Sequence, residues 1–334
     1  MGDQGGGRGG GQAAPGRDAE RAACVQRENA APAARPEAVR RASGDTDDLG
    51  PDEVTAMLDD LRRRSGASMD ESARRKRERI IVPVRFHVLT GEHAGRAGRV
   101  SRRAVRRQIA ILNAAYRGRL GGADTGVGFR LAGYDVTDRT AWFRHPRRYD
   151  RQIKARLRRG GPGTLNVFTA TMDHDVLGFS TFPHTSRKRP RTDGVVIDYR
   201  TLPGGALAHF QRGYTAVHEI GHWFGLLHTF ENGCEDPGDG VDDTPYEAGP
   251  AQGCPRVRDS CPRPGTDSVH NFMNYGWDTC MREFTPGQGR LIRAAWTAYR
   301  ALRHRAEARR RAASGGVDRG TGAGTGARSV GGAR

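Results

Sequence analysis

The 334-residue sequence contains no apolar run long enough to cross a membrane. A spanning helix needs about 18 or more predominantly apolar residues in succession. Residues 1–30 also lack the apolar run of a secretory signal peptide. We therefore expect no transmembrane segment. Export from the cell would require that the natural amino terminus differs from the printed one, or that the protein is exported without a standard signal peptide.

Motifs of several other protein classes are also missing. No serine stands in a nucleophile elbow, and no two cysteines have the Cys-x-x-Cys spacing typical of a structural zinc site. Gly5–Gly10 fits a dinucleotide-binding pattern in form, but it follows no strand. These absences argue against a serine hydrolase, a dinucleotide-dependent enzyme and a cysteine-bound zinc site.

Composition divides the chain into three zones. Residues 1–77, rich in Gly, Ala, Arg and acids, are predicted to be a largely disordered leader or propeptide. Residues 78–303 carry regular strand and helix signals, so we predict that they form the folded domain. Residues 304–334 are Arg-rich and then Gly-rich, a composition that buries too little surface to fold, so we predict a disordered basic tail.

The middle zone alternates strand and helix signals, which predicts an α/β domain. Residues 102–116 carry apolar side chains at helical spacing, and residues 214–227 are predicted to form a second helix. The predicted strands are 80–89, 128–136, 165–171, 178–182 and 194–199.

A histidine motif in the second helix points to metal chemistry. His218 and His222 stand at i and i+4, so both imidazoles project from one helix face and can bind one zinc ion. Glu219, next to the first ligand, is suited to act as general base. A straight helix cannot deliver His228 as third ligand, but Gly225 can adopt positive φ, end the helix and reverse the chain.

A methionine in a turn-prone run follows this motif, in Asn271–Tyr275. The extended histidine motif with such a turn resembles the metzincin zinc endopeptidases. With Val241–Pro245, His270–Tyr275 and Phe284–Gln288, residues from about 80 to 301 are similar to the pappalysin (cytophagalysin-like, M43) family.

The resemblance implies that residues 78–303 are a catalytic domain with a metzincin-like fold. This fold has a twisted, mixed five-stranded sheet, an active-site helix, a backing helix and an irregular, disulfide-stapled C-terminal subdomain. It implies that Met273 forms a hydrophobic floor under the zinc ligands, a role compatible with ordinary core packing. It also implies that Tyr275 brings a phenol near the metal, the alternative being a plain buried tyrosine.

Four of the five cysteines lie within one 47-residue stretch that follows the zinc motif. This clustering favours two disulfides over free thiols. Spacing alone leaves three connectivities open. The resemblance implies Cys234–Cys261 and Cys254–Cys280. Disulfides favour a secreted, extracellular protein. The fifth, Cys24, is either a latency switch that fills the metal's open position or an incidental residue of the leader; maturation near Arg62–Arg64 or Arg74–Arg77 would remove it.

Two acidic features lead to further predictions. A Gly- and Pro-containing loop suits oxygen ligation of calcium, the alternative being a solvated loop; its candidate ligands are Asp236, Asp239, Asp242 and Asp243. Asp278 lies close to where some pappalysins use an acid to select a basic residue after the scissile bond. Thr279 departs from that pattern, but we predict cleavage before Arg or Lys.

The net charge of +17 raises the alternative of a basic polyanion- or nucleic-acid-binding protein. However, residues 231–285, which follow the histidines, carry a net charge of −7. We interpret the excess positive charge as solvated surface and expect no specific nucleic acid. The sequence therefore predicts a monomeric, zinc-dependent metalloendopeptidase acting on proteins or peptides; a catalytically silent metal-containing binding module is the other alternative.

Overall fold

The computed structural model describes residues 49–65, 79–91, 98–172 and 176–301. Its strands are β1 Ile80–Thr90, β2 Val127–Asp138, β3 Leu165–Ala170, β4 Gly178–Ser180 and β5 Val195–Asp198. Its helices are α1 Pro51–Ser65, α2 Arg102–Tyr116, α3 Thr140–Arg144, α4 Pro146–Leu157, α5 Pro183–Lys188, α6 Tyr214–Trp223 and α7 Pro286–Ala295. A π-helical turn, Trp296–Arg300, extends α7.

The five strands form one sheet in the order β2-β1-β3-β5-β4. Strands β2, β1, β3 and β5 run parallel to one another, and β4 pairs antiparallel with β5 at one edge. Strands β3 and β5 are buried along their whole length, as parallel strands covered on both faces are. The predicted α/β class and mixed five-stranded sheet are confirmed.

Helices cover both faces of this sheet. Alternate residues of β1, such as Val84 and Phe86, pack with α2 and α6 in the main hydrophobic core. On the opposite face, Leu89 and Phe168 pack with Ile153 of α4 and with α3. The active-site helix is thus held between the sheet and the chain that follows it.

Helix α1 departs from the expectation of a largely disordered leader over residues 1–77. Its buried residues Val54, Met57, Leu58 and Leu61 have the i, i+3, i+4, i+7 spacing of an amphipathic helix. This apolar face packs against the catalytic domain, which stabilises the helix in a segment of otherwise polar composition. Most of the predicted leader, Cys24 and the predicted tail lie outside the described residues, so the zone boundaries stay predictions.

The chain between α6 and α7 is irregular, with isolated bridges in place of strands. Disulfides join Cys234 to Cys261 and Cys254 to Cys280 within it. These are the pairs that the family resemblance implies, and they tie together a segment that has no regular backbone ladder.

Candidate active site

Helix α6 is the element that positions the histidine motif. It begins after Gly213, whose φ is 88°, and all ten of its residues are buried. It ends at Trp223, earlier than the predicted residue 227, because Gly225 has a φ of 98° and turns the chain back. This reversal is the one proposed for bringing His228 to the helix.

The three histidines meet at one point. The Nε2 atom of His222 lies 3.1 Å from Nε2 of His218 and 3.2 Å from Nε2 of His228. Nitrogens that bind one tetrahedral zinc ion at about 2.05 Å are about 3.3 Å apart. The spacing therefore fits a single metal ion, and all three side chains are buried.

The opposite nitrogens fix the ring orientations. His218 Nδ1 lies 2.7 Å from the carbonyl oxygen of Phe272, and His222 Nδ1 lies 2.8 Å from that of Leu226. Since a carbonyl only accepts, each Nδ1 is the donor, which leaves the Nε2 lone pair for a metal. His228 Nδ1 lies 3.5 Å from a carboxylate oxygen of Glu231.

Met273 lies directly under the active-site helix and is fully buried. A Cβ at Gly221 would collide with its Sδ atom, so this glycine lets the methionine approach the helix between the two histidines. The turn itself is held by Asn271, whose side chain accepts from the Met273 amide at 2.9 Å and pairs with Gln288 of α7. No role was predicted for Gly221, Asn271 or Gln288, although Asn271 and Gln288 stand in the segments that carry the family resemblance.

Glu219 faces the edge strand of the sheet. It is only 3% exposed, and a Cβ at Gly178 would stand 2.7 Å from its Cγ and 2.8 Å from its Oε1. Strand β4 therefore passes directly over the carboxylate. Gly178 is a further residue of the site for which no role was predicted.

Tyr275 reaches the histidine cluster from the Met273 turn. Its hydroxyl lies 3.1 Å from Nε2 of His228, and its ring packs edge-on against the rings of His228 and Phe230. A phenol at this point can donate a hydrogen bond to a negatively charged oxygen beside the three nitrogens.

A buried cluster supports the end of the active-site helix. The Arg300 guanidinium lies 3.6 Å over the Trp223 ring and donates to the Trp223 carbonyl oxygen at 2.8 Å. Asp193 accepts from the Trp223 indole at 3.1 Å and from Arg300 at 2.9 Å. Trp223 adjoins a metal-site histidine, so this cluster fixes the helix where the chain turns back.

The acidic loop does not form a comparable cluster. Within the described ranges, three or more potential ligands converge only at the three histidines. The four aspartates predicted for calcium do not converge in this way. Asp236 is exposed and pairs with Arg263 at 2.9 Å, which lowers its pKa to about 2. Asp242 is also exposed.

The other two aspartates of the loop serve the local fold. Asp239 is buried and accepts from Thr244 at 2.7 Å, and burial raises its pKa to about 8. Asp243 accepts from Thr285 at 2.6 Å and from the Gly287 amide at 2.7 Å, at the start of α7. Neighbouring groups thus bond to the carboxylates of Asp236, Asp239 and Asp243, and calcium ligation by this loop stays a prediction.

Asp278 lies at the start of the active-site helix. It is 1% exposed, and its Oδ2 accepts from the Arg212 amide at 2.7 Å. Burial raises its pKa to about 6. The Tyr214 amide also stabilises the charged carboxylate and lowers its pKa, while in the described part of the chain Oδ1 makes no well-formed hydrogen bond.

The chain is similar in sequence to a family of known peptidases. A family model described as Pregnancy-associated plasma protein-A (peptidase M43) matches residues 166–295. An extracellular metalloprotease of Podospora anserina is 37% identical over 253 residues, 75% of this chain and 83% of that protein. Another from Verticillium alfalfae is 42% identical over 231 residues, 67% of this chain and 78% of that protein.

Two solved structures are similar to this chain in fold. Mature mirolysin of Tannerella forsythia in complex with a cleaved peptide is 28% identical, with a TM-score of 0.58, covering 65% of this chain and 91% of its own. Promirolysin is 25% identical, with a TM-score of 0.60, covering 74% and 94%. A catalytically silent binding module is not favoured by these relatives. None of the helices in the described ranges has the length and apolar character to cross a bilayer.

Proposed function

Because the chain belongs to the pappalysin family (M43) and is a metalloendopeptidase, we propose a role for each residue of its site. His218, His222 and His228 hold one zinc ion through their Nε2 atoms. The observation that carries this proposal is the approach of those three nitrogens to 3.1 and 3.2 Å, with a carbonyl behind each of the first two rings. Held there, a zinc ion would polarise a substrate carbonyl and lower the pKa of a water molecule.

The chain's own residues supply the proton transfers. Glu219 takes a proton from the attacking water and passes it to the nitrogen of the leaving amine. Its burial under β4 excludes bulk water from the carboxylate, which strengthens its interaction with the reacting atoms. The Tyr275 hydroxyl donates a hydrogen bond to the oxygen on which negative charge develops.

Strand β4 is the edge that receives the substrate. Its inner side pairs with β5, so its outer backbone groups are available to an extended peptide that adds antiparallel or parallel to it. The peptide would then pass over Glu219. This arrangement supports hydrolysis within a chain, as in an endopeptidase.

Cleavage before Arg or Lys is the finer part of the proposal. The buried Asp278 carboxylate, one oxygen of which makes no well-formed hydrogen bond in the described residues, suits a cationic side chain. We further propose that the enzyme acts outside the cell, as the two disulfides and the extracellular relatives suggest. A monomeric state is part of the same proposal. Latency through Cys24 remains a proposal about a residue outside the described ranges.

The proposed roles predict a clear assay. The wild-type protein should cleave casein, lose this activity to a chelator and regain it with zinc. Glu219→Gln should lower kcat by about 10³-fold or more while the protein keeps its metal, because general base catalysis is lost but no ligand is. Glu235→Gln, at an exposed carboxylate, is the matched control and should stay within twofold of wild type. Retained activity in Glu219→Gln would reject the mechanism.

A further inference from the structure

Helix α1 precedes the catalytic domain in the chain but is packed into it. Val54, Met57 and Leu58 are each no more than 6% exposed and form one hydrophobic cluster with Phe182 and Leu227. Isolated helices of this length are marginal in water, so the contacts with the domain are what stabilise it. The helix is thus an integral part of the hydrophobic packing.

The second half of α1 is fixed by a different part of the domain. Leu61 packs with Ala298 and Tyr299 in the extension of α7. The Tyr299 hydroxyl donates to Asp60 at 2.7 Å, and Arg64 pairs with the same carboxylate at 2.7 Å. Burial and the hydrogen bond to Asp60 raise the pKa of Tyr299, so the donor stays protonated. Apolar and polar contacts together fix the register of the helix.

The residues that α1 contacts adjoin the histidine cluster. Leu227 directly precedes His228 in the chain. The Phe182 ring packs edge-on against the His222 ring, with the ring centres 5.3 Å apart. Leu58 also fills the space over Gly240, where any Cβ would collide with it. The helix therefore supports two of the three histidines from behind.

We propose that residues 51–65 form a clasp that stays bound to the catalytic domain after the chain is cut between residues 66 and 78. The clasp holds Phe182 and Leu227 in place and so helps to position His222 and His228. Of the two predicted maturation sites, Arg74–Arg77 is then the one compatible with a bound clasp. Arg62–Arg64 lies within the helix, and a protease that needs extended backbone could cut there only after the last turn unwound.

The first test concerns binding and does not depend on the proposed catalytic roles. The full chain carries Glu219→Gln, to prevent self-cleavage, and a recognition site for a sequence-specific protease in place of residues 67–73. After the cut, gel filtration in native buffer should recover the fragment containing the clasp together with the catalytic part, in equal amounts by mass spectrometry. Separation of the two fragments in native buffer would overturn the proposal.

Two substitutions assign the binding to the apolar face of α1. Leu58→Asp places a charge in the buried cluster and should release the fragment after cutting, whereas Thr55→Asp, on the exposed face, should leave it bound. If Leu58→Asp fails to fold, Leu58→Ala should release the fragment at a lower urea concentration than the unsubstituted cut protein. Equal behaviour of the Leu58 and Thr55 variants would overturn the assignment.

A second readout tests the positioning of the histidines. Zinc affinity is measured by competition with a chromophoric chelator in the cut protein, with the clasp bound and after its release. Release should weaken zinc affinity about tenfold or more, because support of ligand residues commonly contributes 10- to 100-fold. Unchanged zinc affinity after release would contradict a positioning role for the clasp.

Discussion

Two regions of this molecule place potential metal ligands close together in the sequence, the histidine motif of α6 and the acidic loop that follows it. In the first, His218, His222 and His228 are separated by four and six residues. The Nε2 atom of His222 lies 3.1 Å from that of His218 and 3.2 Å from that of His228. In the second, the aspartates point to different partners, among them Arg263, Thr244 and Thr285.

The difference lies in the backbone. A helix sets the direction of side chains at i and i+4, and a single glycine with positive φ is enough to return the third ligand. The acidic loop has no repeating geometry, so spacing in sequence says nothing about direction in space. Its carboxylates are instead used to hold turns and the start of α7.

The largest expected effect on stability comes from breaking the support behind the histidine region. Arg300→Met would leave Asp193 buried without its main cationic partner, and loss of one partner of a buried pair costs about 3–5 kcal/mol. Urea unfolding should show this loss. Arg290→Met, at a side chain that is 64% exposed on the same helix, should change the free energy of unfolding little; equal effects would remove the special role of the buried cluster.

A smaller but more local effect is expected at the edge strand. Gly178→Ala places a methyl group against the Glu219 carboxylate, and displacement of a catalytic group by about 1 Å can lower kcat about 100-fold. Thermal stability and zinc content should change much less than kcat. The control is Gly249→Ala, where a Cβ would meet nothing within 4 Å. Full activity in Gly178→Ala would show that the strand does not constrain the carboxylate.

Substitution of Gly225 tests whether the chain reversal at this residue positions the third histidine, as distinct from a general effect of backbone strain. Gly225→Ala forces an L-residue into a φ of 98° and should cost about 1–3 kcal/mol while also weakening zinc binding. Gly253→Ala, with a φ of 70° away from the histidines, should cost stability without loss of zinc affinity. If both variants kept wild-type affinity, the reversal at Gly225 would not be what positions the third histidine.

How far the sequence predicted the site depends on the range of each interaction. The helical histidines, Gly225 and the sheet class follow from local spacing and periodicity, and the structure has all of them. The clamp of Arg300 on Asp193 joins residues 107 positions apart, and no local pattern announces it. The same holds for the packing of α1: its buried residues follow helical spacing, but no local pattern identifies Phe182 and Leu227 as their partners.

The acidic loop should respond to pH through the buried carboxyl group of Asp239. The pKa of Asp239 is raised from 3.8 to about 8, so the folded state holds a proton that the unfolded state releases. Stability is therefore lost as pH rises from about 4 to 8, with a slope of at most about 1.4 kcal/mol per pH unit. The free energy of unfolding is measured for wild type and for Asp239→Asn, both in saturating zinc. The wild-type value should fall relative to that of Asp239→Asn as the pH rises over this range. A constant difference would mean that Asp239 is ionised throughout.

The central claim is that the histidines, and not the aspartates, are the metal centre. Its most direct test is the zinc content of dialysed wild type, His228→Gln and Asp242→Asn, measured by elemental analysis on folded protein. We predict about one zinc ion per chain in wild type and Asp242→Asn, and well below half of that in His228→Gln. A wild-type zinc content in His228→Gln, or its loss in Asp242→Asn, would contradict the account.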